Sequence, residues 1–229
     1  MKVITIIPAR GGSKSIPKKN IQLLGPKPLV AYSIEYSLSS SQVSKTVVST
    51  DSSEIADISK SFGADVPFLR PAKYATDESR DYDFMRHALD YFESLGEVYD
   101  LYILLRPTSP VRPQGLIQRA IEIFEENLGA TSVRSVAIAK EHPYRAWLEN
   151  SNGRIDGFVS NVSESYNLPR QQLPLVYFQT GDVEAVSRET ILEGSISGGS
   201  VYPLVIDHSE MIDIDHWEDF SRAMKVITS

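Results

Sequence analysis

An apolar run rich in β-branched residues occupies positions 3–7, and a polar loop of glycine, serine, lysine and arginine follows it from Pro8 onward. A short apolar run bounded by turn-forming residues predicts a buried strand. In an open α/β sheet, ligands bind just beyond the carboxyl ends of such strands. This junction therefore predicts an α/β fold with a ligand site in its first loop.

Two adjacent glycines, Gly11 and Gly12, lie in this loop, where they allow backbone amides to face a ligand. Four cations surround them: Arg10, Lys14, Lys18 and Lys19. This combination favours a polyphosphate. The loop lacks the Gly-Lys-Ser/Thr ending of a Walker A loop and the Gly-x-Gly-x-x-Gly pattern of dinucleotide folds, so a different nucleotide chemistry is indicated.

The charge distribution favours an anion site over an ordinary solvated basic loop. The chain carries 23 Lys and Arg residues against 30 Asp and Glu residues, yet its first 34 residues contain six cations and no acid. An acidic chain that keeps one loop free of carboxylates favours an anionic ligand there. The net charge of −7 also argues against nonspecific nucleic-acid binding.

The length suits a single α/β domain, residues 1–229, that buries roughly 70% of its unfolded surface. Cysteine is absent, which excludes disulfides and thiolate chemistry. No apolar run approaches the roughly 20 residues of a membrane span, and the start lacks a signal-peptide pattern. We therefore expect a cytoplasmic protein with neither membrane nor nucleic-acid partners.

Helical and strand patterns alternate along the chain. Strands are predicted over residues 46–50, 99–106, 131–139 and 201–207, and helices over residues 28–38, 81–95, 114–127 and 187–193, with a further helix that ends at Gly63.

The run Ile-Pro-Ala-Arg-Gly-Gly-Ser-Lys-Ser-Ile-Pro-Lys-Lys-Asn-Ile, residues 7–21, closely resembles the N-terminal signature of the acylneuraminate cytidylyltransferases, the CMP-sialic acid synthetases and their bacterial nonulosonic acid relatives. The resemblance extends along nearly all of the chain. It implies a Rossmann-like, GT-A-like nucleotidyltransferase fold in which helices sandwich a mostly parallel sheet. The nucleotide-binding residues that we assign are Ala9, Arg10, Gly11, Gly12, Lys14, Lys19, Asn20, Arg70 and Arg106.

A second signature of that family, Pro-Thr-Ser-Pro at residues 107–110, directly follows the predicted strand 99–106. Two prolines hold a stiff turn that presents Arg106 to a ligand. The sialic acid enzymes usually carry glutamine at the position of Arg106. Because arginine only donates hydrogen bonds, Arg106 favours base acceptors such as cytosine O2 and N3 or guanine O6 and N7, and CTP and GTP both stay open.

Residues 140–174 are polar and turn-rich, which predicts a hairpin-bearing excursion from the sheet. The resemblance implies that residues 140–176 are an inserted lobe that mediates homodimerisation and reaches toward the partner's active site. Arg145, Arg170 and Gln171 are then candidates to bind an anionic sugar, in their own subunit or across the dimer. Without the resemblance, the two arginines are interpreted as ordinary exposed side chains.

Strand patterns at residues 175–178 and 183–186 bracket a short polar segment that contains Gln179 and Asp182, which we also assign to the sugar. The sialic acid synthetases often show Arg-Pro-Asn-Gly near this position. The mismatch leaves open which keto sugar acid is accepted: sialic, legionaminic, pseudaminic or another.

Residues 211–215 alternate apolar and acidic side chains, and an extended strand places Asp213 and Asp215 on one face with the isoleucines toward the core. Two carboxylates on one wall suit Mg²⁺, which takes one or two carboxylates plus substrate phosphates and waters. The alternative is that Asp215 caps a helix over residues 216–227. The resemblance supports the metal role, since Asp-Ile-Asp binds the metal in that family.

A basic loop and an acidic strand end that meet over a triphosphate predict nucleotidyl transfer. By resemblance, the anomeric hydroxyl of a nonulosonic acid attacks CTP and pyrophosphate leaves. Arg10, Lys19 and Asp215 are the catalytic candidates, and the proton passes either to Asp215 or to a metal-bound hydroxide. Two rivals remain open: a metal-dependent GT-A glycosyltransferase and a noncatalytic nucleotide-binding module.

Overall fold

The computed structural model describes residues 1–207 and 211–228. Ten strands are assigned in this part of the chain: β1 Val3–Pro8, β2 Leu23–Leu24, β3 Lys27–Pro28, β4 Val43–Ser49, β5 Leu101–Leu104, β6 Ser132–Ile138, β7 Trp147–Glu149, β8 Ile155–Gly157, β9 Tyr177–Ser187 and β10 Val201–Val205. The α-helices are α1 Leu29–Leu38, α2 Ser53–Ser61, α3 Asp81–Ser94, α4 Leu116–Glu126, α5 Arg188–Leu192 and α6 Trp217–Thr228.

Six strands form the central sheet in the order β10-β6-β9-β5-β1-β4. β1 runs parallel to β4 and β5, and β10 runs parallel to β6. β9 is antiparallel to both of its neighbours, β5 and β6. The predicted α/β class with a mostly parallel sheet is therefore confirmed, with one reversed strand near its middle.

Helices cover both faces of the sheet. Along β1, Val3 and Ile7 pack with α1, α2 and α4, whereas Ile4 and Ile6 pack with α3 and α5. Alternate residues of a strand point to opposite faces, so a continuous apolar run marks a strand that is buried on both sides. The helices sandwich the sheet, as the sequence predicts.

A third apolar cluster joins the two ends of the chain. It packs Ile16 and Leu24 from the first loop region against Ile212 and Ile214, and against Phe220 of α6. Ile214 is fully buried and its backbone N–H donates to the carbonyl of Thr108 (2.8 Å). This cluster holds the acidic segment against the first loop.

Three predicted strands differ from the observed ones. The patterns at residues 175–178 and 183–186 belong to the single strand β9, whose register against β6 shifts between Arg134 and Val136. Gly181 lies in this irregular stretch with a φ of +76°, a conformation that suits glycine. Residues 211–215 join none of the assigned strands, although their buried apolar and exposed acidic side chains alternate as predicted.

The segment between β6 and β9 leaves the sheet. It contains the two-stranded hairpin of β7 and β8 and several short 3₁₀ turns, and Trp147 packs on the ring of Tyr166 with centroids 4.1 Å apart. We call this segment, residues 139–176, the lobe. Across the described ranges, none of the helices combines the length and the apolar character that crossing a bilayer requires.

Candidate functional site

A cleft of about 450 Å³ opens at the carboxyl ends of β1 and β5. The loop after β1, the segment between Arg70 and Phe84, the start of the turn after β5, and Asp215 line it. Of the residues that the sequence assigns to the site, seven meet here: Arg10, Lys14, Lys19, Asn20, Arg70, Arg106 and Asp215. The basic loop and the acidic segment therefore share one cleft.

Internal hydrogen bonds fix the loop after β1. The buried side chain of Asn20 donates from Nδ2 to the carbonyl of Arg10 (2.9 Å). The backbone N–H of Gly11 donates to Oδ1 of Asp51 (2.9 Å), so the amide predicted to face a ligand is used within the chain. Ala9 is fully buried, and its N–H donates to the carbonyl of Ser49 (2.9 Å).

The two glycines of the loop have different surroundings. A Cβ on Gly11 would lie 3.2 Å from Cβ of Ser52, whereas a Cβ on Gly12 would meet open space. Ser52 is itself held at the start of α2, where its hydroxyl accepts from the N–H of Ile55 (3.4 Å). A side chain at position 11 would thus pack tightly against Ser52, whereas Gly12 faces outward.

Asp77 meets both outer cations of the loop. Its Oδ1 lies 2.8 Å from Nη2 of Arg10, and its Oδ2 pairs with the ammonium group of Lys14. The hydrogen bond from Lys14, followed by that from Arg10, lowers the pKa of Asp77. Asp77 belongs to the polar run 76–79 and is not among the site residues predicted from the sequence.

Lys19 links the basic loop to the acidic segment. Its Nζ donates to the carbonyl of Ile214 (2.7 Å) and lies 3.5 Å from Oδ1 of Asp215. Its side chain is only 13% exposed, so the packing of the loop fixes the position of the ammonium group.

Asp213 and Asp215 both face outward while Ile212 and Ile214 are buried. Desolvation raises the pKa of Asp213; a hydrogen bond with Thr108 opposes this rise and the neighbouring charge of Asp215 adds to it. Two neighbouring carboxylates whose charges oppose each other fit a cation between them.

The donor set fits a substrate-completed Mg²⁺ site rather than a closed one. In the described ranges, no cluster of three or more His, Cys, Asp or Glu side chains is suited to a metal. Mg²⁺ characteristically takes one or two carboxylates and fills its remaining positions with phosphate oxygens and water. The pair of Asp213 and Asp215 is of this kind.

Asp219 provides the cap of α6 that the alternative interpretation assigned to Asp215. Its Oδ2 accepts hydrogen bonds from the backbone N–H groups of Asp215 (3.2 Å) and His216 (3.0 Å). This arrangement is the reciprocal half of a capping box. The carboxylate of Asp215 faces Lys19 instead.

Arg106 is held by acidic residues on two elements. It donates to both oxygens of Asp81 at the start of α3 (3.3 and 2.5 Å) and twice to Oε1 of Glu184 on β9 (3.2 and 2.8 Å). Burial alone lowers the pKa of Arg106, but these ion pairs outweigh it and raise the pKa. Four of its five N–H groups are engaged in these bonds. Only one N–H therefore remains for the predicted hydrogen bond from Arg106 to a base.

Glu184 is the centre of this network. It is buried, and its carboxylate also accepts from Arg134 of β6 and from Nε2 of Gln179 (3.0 Å). Neither Glu184 nor Asp81 is among the site residues predicted from the sequence. Strand alternation was the available signal, since a charged residue inside the apolar pattern of β9 requires a partner.

Two further buried arginines support the walls of the cleft. Arg70 donates to the hydroxyl and carbonyl of Ser49 and to the carbonyl of Tyr74, and burial lowers its pKa to about 10. Arg112 donates to the carbonyls of Asp182 (2.9 Å) and Arg106 (2.5 Å), and burial likewise lowers its pKa to about 10. Arg70 lines the cleft, whereas Arg112 supports the turn after β5 from beneath.

The sugar candidates are dispersed. Arg145 and Arg170 line a separate concavity of about 430 Å³ in the lobe, and Gln171 is exposed there. Gln179 is exposed near the network of Glu184. The assignment of Asp182 to direct sugar contact is wrong, because Asp182 is only 1% exposed and lies beneath the site beside Thr180 and Arg112.

This chain is similar in sequence and in fold to known proteins. The sequence model of the family described as Cytidylyltransferase matches residues 4–172. The CMP-N,N'-diacetyllegionaminic acid synthase of Legionella pneumophila is 33% identical over 99% of this chain and 97% of its own length. The pseudaminic acid cytidylyltransferase of Campylobacter jejuni is 31% identical over 97% and 95%, respectively. A solved structure of CMP:2-keto-3-deoxy-manno-octonic acid synthetase complexed with CTP shares the fold, with a TM-score of 0.75 at 15% identity over 100% of this chain and 99% of that one.

Proposed function

The chain belongs to the cytidylyltransferase family, and from this premise we propose that it activates a nonulosonic acid by transferring CMP from CTP. The anomeric hydroxyl of the sugar acid attacks the α-phosphorus of CTP. A bond forms between that oxygen and the α-phosphorus, and the bond from the α-phosphorus to the bridging oxygen breaks. Its electron pair leaves with pyrophosphate, and the proton of the attacking hydroxyl passes to Asp215 or to solvent.

One observation carries this proposal: the ammonium group of Lys19 lies between the basic loop and the carboxylate of Asp215. A triphosphate in the cleft then has cations along one side and the acidic pair at the other. Phosphoryl and nucleotidyl transfer depend mainly on such positioning and electrostatic stabilisation. A noncatalytic nucleotide-binding module needs only the cations.

We assign catalytic roles to Arg10, Lys19 and Asp215. Arg10 and Lys19 offset the negative charge that develops on the phosphate oxygens, and Asp215 holds the ammonium group of Lys19 toward the cleft. Gly12 and Lys14, at the open side of the loop, contact the outer phosphates in this proposal, and Asn20 keeps the loop in shape through Arg10.

Asp213 and Asp215 are the residues that hold Mg²⁺ in this proposal. When bound, Mg²⁺ polarises the phosphate oxygens and neutralises part of the triphosphate charge. Both side chains are exposed, that of Asp215 lines the cleft, and the buried isoleucines that flank Asp213 keep the segment in place.

We take CTP rather than GTP as the donor. The matching family and one relative are named cytidylyltransferases, and the other relative is named a synthase of a CMP-linked sugar acid. Both relatives act on nonulosonic acids by name, which narrows the keto sugar acids that the sequence left open. We place the reaction in the cytoplasm, where nucleoside triphosphates are made.

The lobe supports a homodimer. It exposes large apolar side chains on its surface: Trp147, Leu148, Ile155, Phe158 and Leu175. Exposed apolar area of this kind marks a protein interface. Because Arg145 and Arg170 line a concavity in the lobe and not the nucleotide cleft, we propose that they bind the carboxylate of the sugar in the partner's site.

A matrix of pyrophosphate release tests the reaction. Four nucleoside triphosphates are combined, with Mg²⁺ present, with sialic, legionaminic and pseudaminic acids and an eight-carbon keto sugar acid. We expect release only with CTP and a nine-carbon acid. Release with GTP alone overturns the cytidylyl assignment. If none of the three nine-carbon acids supports release with CTP, the sugar class is overturned.

Complementation tests the arrangement across the dimer. Arg145→Ala and Asp215→Asn are each expected to inactivate the protein. When the two variants are co-expressed, one site per mixed dimer regains both residues, so about a quarter of wild-type activity returns. Absence of recovery in a confirmed mixed dimer places Arg145 in its own subunit's site.

The homodimer itself is tested by analytical ultracentrifugation. Phe158→Lys should reduce the measured mass to that of a monomer, whereas Leu128→Lys, at an apolar residue that is 98% exposed outside the lobe, should not.

A further inference from the structure

Asp77 occupies an anion position between two cations of the basic loop. One carboxylate oxygen contacts the guanidinium of Arg10 (2.8 Å), and the other contacts the ammonium group of Lys14. All three residues lie along the cleft. A carboxylate that bridges two cations in this way has the charge and the pair of acceptor oxygens that one end of a polyphosphate presents.

A compact turn presents this carboxylate to the cleft. The N–H of Thr76 donates to the hydroxyl of Ser79 (3.0 Å), and that hydroxyl donates to the carbonyl of Lys73 (3.3 Å). The turn is on the surface: the side chain of Asp77 is 42% exposed and that of Lys14 is 82% exposed. The ion pairs are therefore open to solvent and separable at small cost.

We infer that Asp77 is an intramolecular competitor of the phosphate groups, which sets how tightly the cleft retains polyphosphate. This inference rests on the proposed function, because it takes the cations of Arg10 and Lys14 to be the phosphate ligands. In the empty cleft Asp77 satisfies both cations. A triphosphate displaces it, and after transfer Asp77 returns and assists the departure of pyrophosphate.

This arrangement has a consequence for selectivity. Every ligand that uses Arg10 and Lys14 must replace the two contacts of Asp77, and a ligand of low charge gains little from the exchange. Pyrophosphate and triphosphate carry enough charge to replace both contacts. Asp77 therefore acts on affinity for polyphosphates, and it takes no part in the bond that forms at the α-phosphorus.

The test compares Asp77→Asn with Glu78→Gln by titration calorimetry with pyrophosphate, and separately with CTP, in buffer that contains Mg²⁺. Glu78 is the neighbouring exposed carboxylate, so its substitution removes the same charge from the same turn. We expect Asp77→Asn to bind pyrophosphate about three- to tenfold more tightly, which lies within the range for the loss of two exposed ion pairs. Glu78→Gln should change the affinity by less than about twofold.

Product inhibition gives a second readout. The inhibition constant of pyrophosphate should fall in Asp77→Asn by the same factor as its dissociation constant. Equal affinities in wild type and Asp77→Asn, or equal changes in the two variants, overturn the inference and leave the proposed function standing. A folded wild-type protein that binds neither CTP nor pyrophosphate overturns both.

Discussion

The ammonium group of Lys19 lies 3.5 Å from the carboxylate of Asp215, 196 residues further along the chain. The contact is supported by the hydrogen bond from Lys19 to the carbonyl of Ile214 and by the apolar cluster that buries Ile16 against Ile214. A charge pair alone holds chain segments weakly. Burial of the isoleucines fixes the segments, and the two charges are then held next to each other in the lining of the cleft.

Replacing Asp213 and Asp215 with asparagine should reduce pyrophosphate release at least about a hundredfold, because the proposed metal-assisted transfer would be lost. Glu218→Gln, which removes an exposed carboxylate from the first turn of α6, is the matched control and should leave the rate unchanged within about twofold. The rates are measured at saturating CTP and Mg²⁺. Activity of the double variant near the wild-type value would contradict the assignment of these carboxylates.

Glu184→Gln should lower the free energy of unfolding by about 3 kcal/mol, since it leaves Arg106 and Arg134 without their shared buried carboxylate. The measurement is urea unfolding at neutral pH. Glu189→Gln is the control, because the side chain of Glu189 is 70% exposed in its 3.7 Å pair with Arg188, and it should change stability by less than about 0.5 kcal/mol. Equal losses in the two variants speak against a buried network.

Gly181→Ala should destabilise the protein more than Gly153→Ala. Both glycines have a positive φ, +76° and +72°, which costs an L-residue about 1–2 kcal/mol. A Cβ at Gly181 would also lie 3.1 Å from Cδ of Arg106, whereas one at Gly153 would meet open space. We expect a further loss of about 1 kcal/mol at Gly181, measured by chemical unfolding. Equal losses of unfolding free energy in the two variants would show that the side chain of Arg106 moves aside without an energetic cost.

Stability should fall as the pH drops below about 6.5, in part through His87. Desolvation, and then the charge of Arg70, lowers the pKa of His87 in the folded protein. The unfolded chain therefore binds the proton more readily, so this contribution is present above the unfolded pKa and is lost as the pH falls toward the folded one.

His87→Gln tests this contribution through the free energy of unfolding between pH 7.5 and pH 5. The difference between wild type and variant should shift in favour of the variant as the pH falls. Met85→Leu, a buried substitution on the same helix without a titratable group, should give a curve parallel to wild type. A parallel curve for His87→Gln contradicts the prediction.

Local patterns were sufficient for the features that depend on nearby residues. The run 3–7 and the loop after Pro8 predicted β1 and the position of the cleft, because strand burial and turn chemistry are encoded over a few residues. The alternation of residues 211–215 predicted which side chains face the core, even though no assigned strand forms there. These signals need no knowledge of distant partners.

Features that depend on distant partners were not predictable. Asp182 was assigned to the sugar, but the irregular stretch of β9 at Gly181 turns it inward. Arg106 was assigned to a base, but Asp81 and Glu184 approach it from α3 and β9 and engage most of its donors. Gly11 was assigned to phosphate, but Asp51 takes its amide. Each outcome depends on a residue at least 25 positions away or on strand register.

The lobe begins and ends at one place on the sheet, since Ile138 of β6 and Tyr177 of β9 are paired neighbours in the antiparallel ladder. The chain thus leaves the sheet and returns to it on adjacent strands, at positions one strand spacing apart. Lobes of other lengths can be accommodated there with the ladder intact, because the register on either side does not depend on what the excursion contains. The homodimer contact that we propose for the lobe can therefore change without altering the cleft between the loop after β1 and Asp215.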